Sequence, residues 1–170
     1  MIVRREHEGD HEAVRRIHAA AFDRGDGLPV EVVLLDALRA DEGWLPHLSW
    51  VAELDGRVVG HVVSTRGHVA TVPCVGLGPN GVAPDVQRAG IGSALVHATI
   101  GAADASSEPL IALLGDPGYY SRFGFVPSSE LGVEAPDDAW GAHFQALPLS
   151  AWTAEAHGAF RFAAPFDDLD

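Results

Sequence analysis

The chain of 170 residues carries 24 acidic residues against eleven basic ones, which gives a formal net charge of −13. Every basic residue is an arginine, and the sequence contains no lysine. These values exclude a broad phosphate-binding face for nucleic acid, adhesion to an anionic membrane and any chemistry that needs an active-site lysine. The length and the 47% hydrophobic content predict a single domain spanning residues 1–170.

The single cysteine, Cys74, has no partner for an internal disulfide, so the fold does not depend on an oxidising compartment. The first residues, Met1 to Glu6, lack the basic region and apolar run of a signal peptide. Every apolar stretch is interrupted well before the roughly 20 residues that span a bilayer. We therefore expect a cytoplasmic protein without a membrane segment.

The first half of the chain predicts two helices and then a region of hairpins. Asp10 suits a helix N-cap, and Asp55-Gly56 is a dipeptide typical of hairpin turns. The elements expected here, in chain order, are a strand at 2–5, a helix after Asp10, a helix from Pro29, and strands at 49–54, 57–64 and 69–76.

The second half predicts one long helix followed by shorter elements. Those elements, in order, are a helix at 86–103, a strand at 110–114, a one-turn helix from Asp116 to Gly124, and late strands at 143–147 and 160–163. Helices that alternate with strands, together with hairpins in the middle of the chain, indicate an α/β protein whose sheet is mixed and not purely parallel.

The segment from Gly76 to Gly81 matches the dinucleotide fingerprint G-x-G-x-x-G. That fingerprint must open a helix, so that the helix N-terminus faces the pyrophosphate. Here Gly81 leads into an extended Val-Ala-Pro segment instead. A nicotinamide-dependent enzyme is therefore the weakest of the candidate functions.

The segment from Gln87 to Leu95 is more informative, because Gly90 and Gly92 stand at the head of the long helix. Glycine weakens a helix by about 1 kcal/mol relative to alanine, so two of them there need a reason. The amides of a first helical turn are unpaired and lie at the positive end of the helix dipole. A bound diphosphate would use them, and a tightly packed helix start is the alternative explanation.

Two segments together resemble the GNAT superfamily of N-acetyltransferases. Gln87, Gly90 and Gly92 satisfy the acyl-CoA-binding pattern Q/R-x-x-G-x-G/A of that family, and residues 118–125 resemble its Tyr-x-x-x-Gly-Phe segment. The resemblance spans most of residues 1–126, and the tail 158–166 is similar to one bacterial subgroup.

The resemblance implies a mixed, mostly antiparallel central sheet flanked by helices. Its fourth and fifth strands would splay apart to hold the pantetheine arm of acetyl-CoA, with a bulge near residues 77–79. The residues implied to bind the cofactor are Gly81, Val82, Ala83, Gln87, Arg88, Ala89, Gly90, Ile91, Gly92 and Ser93, with Arg122 as a second arginine near the phosphates.

The resemblance also implies direct attack of an amine on the acetyl thioester. The backbone N–H near Val82 would donate to the thioester carbonyl, and Tyr120 would protonate the sulfur of coenzyme A. The alternative for Tyr120 is a core aromatic residue. Residues 73–83 contain no acid that could act as the general base. His61, His68, Asp116 and a water relay are the alternatives, and the base stays unassigned.

The expected acceptor is a small-molecule or peptide amine, and a homodimer is compatible with the family. Asp23, Asp26, Asp137 and Asp138 fall in predicted loops, where they would attract a cationic amine or form a solvated acidic surface. The histidine and cysteine spacings match no metal motif, so no metal is expected. The alternative function is a non-catalytic acyl-CoA-binding GNAT-fold sensor or interaction module.

Overall fold

The computed structural model describes residues 1–25 and 27–168 of the chain. Its helices are α1 (His11–Ala21), α2 (Val30–Ala40), α3 (Ile91–Ala105) and α4 (Pro117–Tyr120). Its strands are β1 (Ile2–Arg5), β2 (Trp50–Leu54), β3 (Arg57–Val69), β4 (Val72–Val82), β5 (Leu110–Leu114), β6 (Val126–Pro127), β7 (Val133–Glu134), β8 (Phe144–Pro148) and β9 (Gly158–Arg161). Short 3-10 turns lie between them, including Asp138–His143 and Ala164–Asp168.

The strands form a mixed sheet in which most neighbours are antiparallel. The strand order is β1-β2-β3-β4-β5-β8-β6, and β9 pairs with the far end of β3 and with β7. Consecutive residues of β3 show where the helices lie, because side chains alternate across a strand. Gly60 faces α3, whereas His61 contacts His18 of α1. Helices therefore flank both faces, and the predicted α/β fold is confirmed.

Most predicted elements occur in the structure, but several boundaries were wrong. The strand predicted at 57–64 runs to Val69, and the late strand predicted at 160–163 lies at Gly158–Arg161. The run 69–76 is not one strand, because β3 continues to Val69 and turns through Ala70 before β4 begins at Val72. The turn carries none of the glycine, proline or asparagine signals of a hairpin. Helix α3 starts at Ile91 and not at 86, because Arg88 and Gly90 have φ values of 61° and 84° that interrupt a helix.

Strands β4 and β5 pair over a short stretch and then separate. Their parallel register joins Val75 to Ile111 and Gly76 to Ala112. Directly beyond these pairs, β4 contains a bulge, since Ser64 of β3 lies opposite Leu77 while Val62 lies opposite Asn80. The bulge bends β4 away from β5. The implied splay and the bulge at residues 77–79 are thus both present.

The core continues through the sheet on both faces, and Cys74 belongs to it. The Cys74 side chain is fully buried, and this burial raises the pKa of its thiol to about 12. The thiol therefore stays protonated at neutral pH and acts as a small apolar side chain.

Helix α3 packs closely on the sheet because β3 has a glycine beneath it. A Cβ atom on Gly60 would lie 2.8 Å from Cγ2 of Ile91 and 3.1 Å from Cδ1 of Leu95. We expect Gly60→Val to push α3 outward and to lower the free energy of unfolding by about 1–3 kcal/mol. Urea denaturation measures this change.

Gly101 provides the matched control within α3. A Cβ atom there would meet nothing within 4 Å. Gly101→Ala should therefore raise the free energy of unfolding by about 0.5–1 kcal/mol, since alanine favours the helix. Equal destabilisation by both substitutions would contradict the close packing at Gly60.

Candidate active site

A first cavity, of about 630 Å³, lies at the start of α3 and is called the helix-start cavity. Its wall combines the end of β4, the loop before α3, the first turn of α3 and the α4 region. Eight of the implied cofactor residues line it: Gly81, Val82, Gln87, Arg88, Gly90, Ile91, Gly92 and Ser93. Ala83 and Ala89 lie outside this wall.

The start of α3 presents unpaired amides to this cavity. Gly90 is the N-cap, and its carbonyl accepts the first helical hydrogen bond from the amide of Ala94 at 3.0 Å. The amides of Ile91, Gly92 and Ser93 precede that bond and therefore have no partner within the helix. They lie at the positive end of the helix dipole, which favours an anion.

Glycine stands at positions 90 and 92 of this helix start for two different physical reasons. Gly90 has a φ of 84°, a left-handed conformation that costs other residues about 1–2 kcal/mol. At Gly92 the space is limited, because a Cβ atom there would lie 2.9 Å from the Tyr119 hydroxyl, which would have to shift. A side chain at position 92 would also intrude on the wall of the cavity.

The end of β4 leaves one backbone edge open toward the same cavity. The amide of Ala83 donates to the carbonyl of Val59 in β3 at 2.8 Å, so that amide is already bonded within the sheet. Backbone groups alternate sides along a strand, which turns the N–H and C=O of Val82 to the open edge. The Val82 carbonyl accepts a 3.0 Å hydrogen bond from Nε2 of Gln87. The Val82 amide lies on the same edge, turned away from β3.

Two arginines supply positive charge at this cavity. Arg88 and Arg122 both line it. The Arg122 guanidinium lies 4.8 Å from the centre of the Tyr119 ring and donates to the Gly118 carbonyl at 3.4 Å. A diphosphate at the start of α3 would thus meet backbone amides together with two side-chain cations.

A second cavity, of about 800 Å³, adjoins the first at Asn80 of β4 and is called the aromatic cavity. Its wall includes the aromatic side chains of Phe22, Tyr120, Trp140, Phe160, Phe162 and Phe166. Phe22, Asn80 and Tyr120 line both cavities. These shared residues form the junction between the cavities.

Local sequence fixes the position of Tyr120 at the junction. The carboxylate of Asp116 caps α4 by accepting from the amide of Gly118 at 2.8 Å, as its place before Pro117 predicts. Gly115 makes room for the ring, since a Cβ atom there would lie 2.4 Å from Cε2 of Tyr120. The ring also packs against Phe125 at 5.7 Å between centroids.

The environment of Tyr120 keeps its hydroxyl protonated. Burial raises its pKa to about 12, and Tyr119 adds to the rise while the nearby Asn80 side chain opposes it. A phenol with this pKa is neutral throughout the physiological range and can donate a proton to a stronger base that forms beside it.

The histidines named from the sequence occupy different places. His68 lines the aromatic cavity, whereas His61 of β3 is fully buried. His61 Nε2 lies 3.1 Å from a carboxylate oxygen of Glu6, and its Nδ1 lies 2.9 Å from Nε2 of His18. Arg39 donates to the other oxygen of the Glu6 carboxylate at 2.9 Å. The general base remains unassigned.

Glu6, His61 and His18 form a buried hydrogen-bond chain whose bonds run in one direction. The Glu6 carboxylate accepts from His61 Nε2, so His61 Nδ1 accepts from His18 Nε2 and leaves His18 Nδ1 unprotonated. In the described part of the chain, no donor reaches His18 Nδ1. The His18 ring lies against Gly81 and stacks on Phe22, with centroids 5.5 Å apart. The hydrogen-bond chain therefore orients the His18 ring, and stacking on that ring holds Phe22 at the junction.

Burial sets the ionisation of this chain. It lowers the pKa of His18 well below its usual value, and it lowers the pKa of His61 although Glu6 opposes the change. Burial acts against the Glu6 carboxylate as well, yet His61 and Arg39 together lower its pKa. Two neutral histidines and one carboxylate result at neutral pH.

Asp23, Asp137 and Asp138 are not among the residues that line either cavity. The carboxylates of Asp23 and Asp137 accept from nearby backbone amides, those of Gly25 and Ala139, at 2.8 Å each. Asp138 is exposed, and Asp26 lies outside the described residues. The carboxylates that do line the aromatic cavity are those of Glu31 and Asp167.

Sequence patterns missed several residues of the junction and of the aromatic cavity. Asn80 had a signal, because it is a polar residue within an otherwise apolar strand. Phe22, Trp140 and Phe162 had none, since apolar residues at such spacings are typical of any core.

Neither a metal cluster nor a membrane helix is present in the portion that the structure describes. Across residues 1–25 and 27–168, no three or more His, Cys, Asp and Glu side chains converge as metal ligands. In the same ranges, no helix is long and apolar enough to cross a membrane.

Comparison with known proteins assigns the family. The profile of an acetyltransferase (GNAT) domain matches residues 46–127. An uncharacterized N-acetyltransferase of Escherichia coli strain K12, YjhQ, is 31% identical over 153 residues, covering 87% of this chain and 82% of that protein. This chain belongs to the GNAT superfamily of N-acetyltransferases.

Two solved GNAT structures resemble nearly the whole chain. The N-acetyltransferase YhbS from Escherichia coli, in complex with CoA, has a TM-score of 0.87 at 23% identity, covering 99% of this chain and 93% of its own. A GNAT family acetyltransferase from Brucella melitensis, in complex with acetyl-CoA, has a TM-score of 0.76 at 31% identity, covering 98% and 97%. The first likeness shows the shared GNAT fold, and the second extends it with closer sequence similarity.

The buried histidines predict how the stability of this GNAT protein depends on pH. The unfolded chain binds protons near the ordinary histidine pKa, about 6.5, whereas folded His18 and His61 bind them only at lower pH. The free energy of unfolding should therefore fall as the pH is lowered from 7 to 5, by about 1.4 kcal/mol for each unit of pKa depression. Urea denaturation at several pH values tests this.

Two substitutions show whether this pH dependence comes from the buried hydrogen-bond chain or from other histidines. His18→Gln should lower the free energy of unfolding at pH 7 and make its fall toward pH 5 shallower. His143→Gln, at an exposed position, should leave the pH dependence as in the parent protein. An unchanged slope in His18→Gln would contradict the assignment.

Proposed function

We infer that this chain transfers the acetyl group of acetyl-CoA to the nitrogen of an amine by direct attack. The observation that carries this inference is the junction at Phe22, Asn80 and Tyr120, where the helix-start cavity meets the aromatic cavity. A thioester entering from one side and an amine entering from the other would meet there. The bound CoA and acetyl-CoA of the two solved relatives support the cofactor.

Cofactor binding would rest on the backbone at the start of α3. The amides of Ile91, Gly92 and Ser93 would hold the pyrophosphate, with Arg88 and Arg122 beside it. The open edge of β4 at Val82 would face the pantetheine arm. The rest of the implied set, Gly81, Ala83, Gln87, Ala89 and Gly90, would shape this part of the site.

The reaction would proceed without a covalent enzyme intermediate. The nitrogen of the neutral amine attacks the thioester carbon, and the Val82 amide donates to the oxygen that gains negative charge. The attack forms a tetrahedral intermediate that is not bonded to the enzyme. Its collapse breaks the C–S bond, and the Tyr120 hydroxyl gives its proton to the departing sulfur. The proton lost by the nitrogen returns to Tyr120 through solvent, so products and enzyme are balanced.

We propose that residues 1–170 form one cytoplasmic domain. Pairing of the late strand β9 with β3 supports the single domain, since it ties the end of the chain to its middle. The absence of an acid from β4 favours the alternative, a domain that binds acyl-CoA without turnover. Acetyl-CoA consumption across a panel of amines, followed as free thiol, separates the two functions.

Tyr120→Phe tests the proton donor. Loss of a general acid lowers a rate by a factor of about 100 to 10,000. We therefore expect kcat to fall by at least about 100-fold. The Kd for CoA, measured by calorimetry, should change by less than about twofold, because the ring and its packing remain. An unchanged kcat would remove Tyr120 from the mechanism.

Tyr119→Phe serves as the comparison for Tyr120→Phe. The Tyr119 hydroxyl lies on the helix-start cavity beside Gly92, so its loss should act on CoA binding more than on kcat. If Tyr119→Phe lowers kcat more than Tyr120→Phe does, the two tyrosines have been assigned in the wrong order.

Gly92→Val tests the phosphate site, because the family pattern admits alanine at this position but not a larger side chain. The Cβ atom would lie 2.9 Å from the Tyr119 hydroxyl, and the valine methyl groups would extend over the first turn of α3, where the unpaired amides lie. Hydrogen bonds to a charged group are worth about 1.5–3 kcal/mol each, so losing one should raise the Kd for CoA by roughly 10- to 100-fold. Gly101→Val, later in α3, should leave this Kd unchanged. Equal Kd values for both variants would contradict the site.

A further inference from the structure

The aromatic cavity has a wall built from distant parts of the chain. Phe160, Phe162 and Phe166 come from the C-terminal residues, Trp140 from the turn Asp138–His143, and Phe22 from the end of α1. Its volume of about 800 Å³ is within the range of small-molecule sites. Aromatic rings at the wall offer large flat apolar surfaces to a ligand.

The aromatic rings hold one another in place. The centroids of Phe160 and Phe162 are 4.7 Å apart in a T-shaped contact, and those of Phe162 and Phe166 are also 4.7 Å apart. Phe162 lies directly on the sheet, because a Cβ atom on Gly76 would be 3.1 Å from its ring. A wall already ordered in this way loses little side-chain freedom when a ligand binds.

Glu31 is one of the residues that line this cavity. Its side chain is only 15% exposed, and one oxygen accepts a 2.7 Å hydrogen bond from Arg24. The other oxygen, Oε2, is buried, and no donor among residues 1–25 and 27–168 reaches it. A buried acceptor without a donor is unfavourable, so rotation of this carboxylate toward a ligand ammonium group in the cavity would be stabilising.

The other charged residues of the cavity limit which further charged groups the ligand can have. Asp167 adds a second carboxylate to the wall, and Arg161, also on the wall, donates to the Ala70 carbonyl at 3.3 Å. A carboxylate next to the amine would lie close to Glu31 and be repelled. A second ammonium group, farther along the molecule, would find a matching carboxylate only at Asp167 among the described wall residues, and elsewhere it would lose its water against aromatic rings.

We propose that the acceptor is a primary amine with one positive charge, no neighbouring carboxylate and an aromatic or similarly flat apolar body. The inference rests on the proposed function, and it names the substrate class of that same site. Glu31 attracts the ammonium group, and the rings of Phe160, Phe162 and Phe166 hold the flat body. The amine loses its proton before it attacks at the junction.

Two measurements test the substrate class: ligand binding to the CoA-loaded protein, and turnover with acetyl-CoA. The first is the shift in melting temperature when phenethylamine, ethylamine, spermidine or phenylalanine is added to the CoA complex. The second is kcat/KM with acetyl-CoA for the same four compounds, with the acetylated product identified by mass spectrometry. Phenethylamine should raise the melting temperature most and exceed each of the others in kcat/KM by about tenfold or more.

Substitutions assign the two recognition elements. Glu31→Gln should raise KM for phenethylamine by about tenfold, the equivalent of one lost charge-assisted hydrogen bond, with the Kd for CoA unchanged. Phe162→Leu should raise KM for phenethylamine but hardly alter that for ethylamine, which has no ring. Glu12→Gln, an exposed carboxylate on α1, is the matched control and should change none of these values.

The outcomes distinguish this inference from the proposed function. Preferred binding and acetylation of spermidine or phenylalanine, or an unaltered KM in Glu31→Gln, would overturn the substrate class while the acetyltransferase stands. A melting-temperature shift with phenethylamine but no turnover of any amine would overturn the proposed function and keep the ligand class. Absence of both would overturn both.

Discussion

The separation of β4 from β5 is the constraint on which the rest of the site depends. The two strands share ladder pairs at Val75 and Gly76 of β4, and the bulge that follows turns β4 away. Backbone groups on the separated edge can then face a ligand without a cost to the sheet, because the sheet does not use them. The gap also lets the helix-start cavity and the aromatic cavity meet at Asn80 and Tyr120.

Coenzyme A is an anion, and the protein carries a net charge of −13 without a single lysine. Its phosphates must therefore be met locally and at short range. In the proposed enzyme, unpaired amides at the start of α3 would do this without a mobile charged side chain, while Arg88 and Arg122 would add positive charge beside them. The acidity of the chain is compatible with the proposed cationic acceptor, which would lie near Glu31.

The two sides of the sheet have different tasks in the proposed enzyme. Helix α3 is brought close to the sheet over Gly60 and presents the cofactor amides. On the opposite face, the buried chain Glu6–His61–His18 ties α1 to β3 and sets Phe22 at the junction through ring stacking. The C-terminal residues complete that face, where Phe160 and Phe162 lie over glycines of β3 and β4. In the proposed enzyme, Phe160 and Phe162 would thus form part of the acceptor side.

The sequence by itself determined the family motif, most helices and strands, and the candidate roles of Gly90, Gly92 and Tyr120. These features are local, since helix starts, caps and one-turn helices are fixed by residues a few positions apart. Only the tertiary structure decided that Phe22, Asn80 and Phe162 share one cavity system and that His61 is buried beside Glu6. Such contacts join segments far apart in the chain, and an isolated phenylalanine or histidine carries no local signal of its partner.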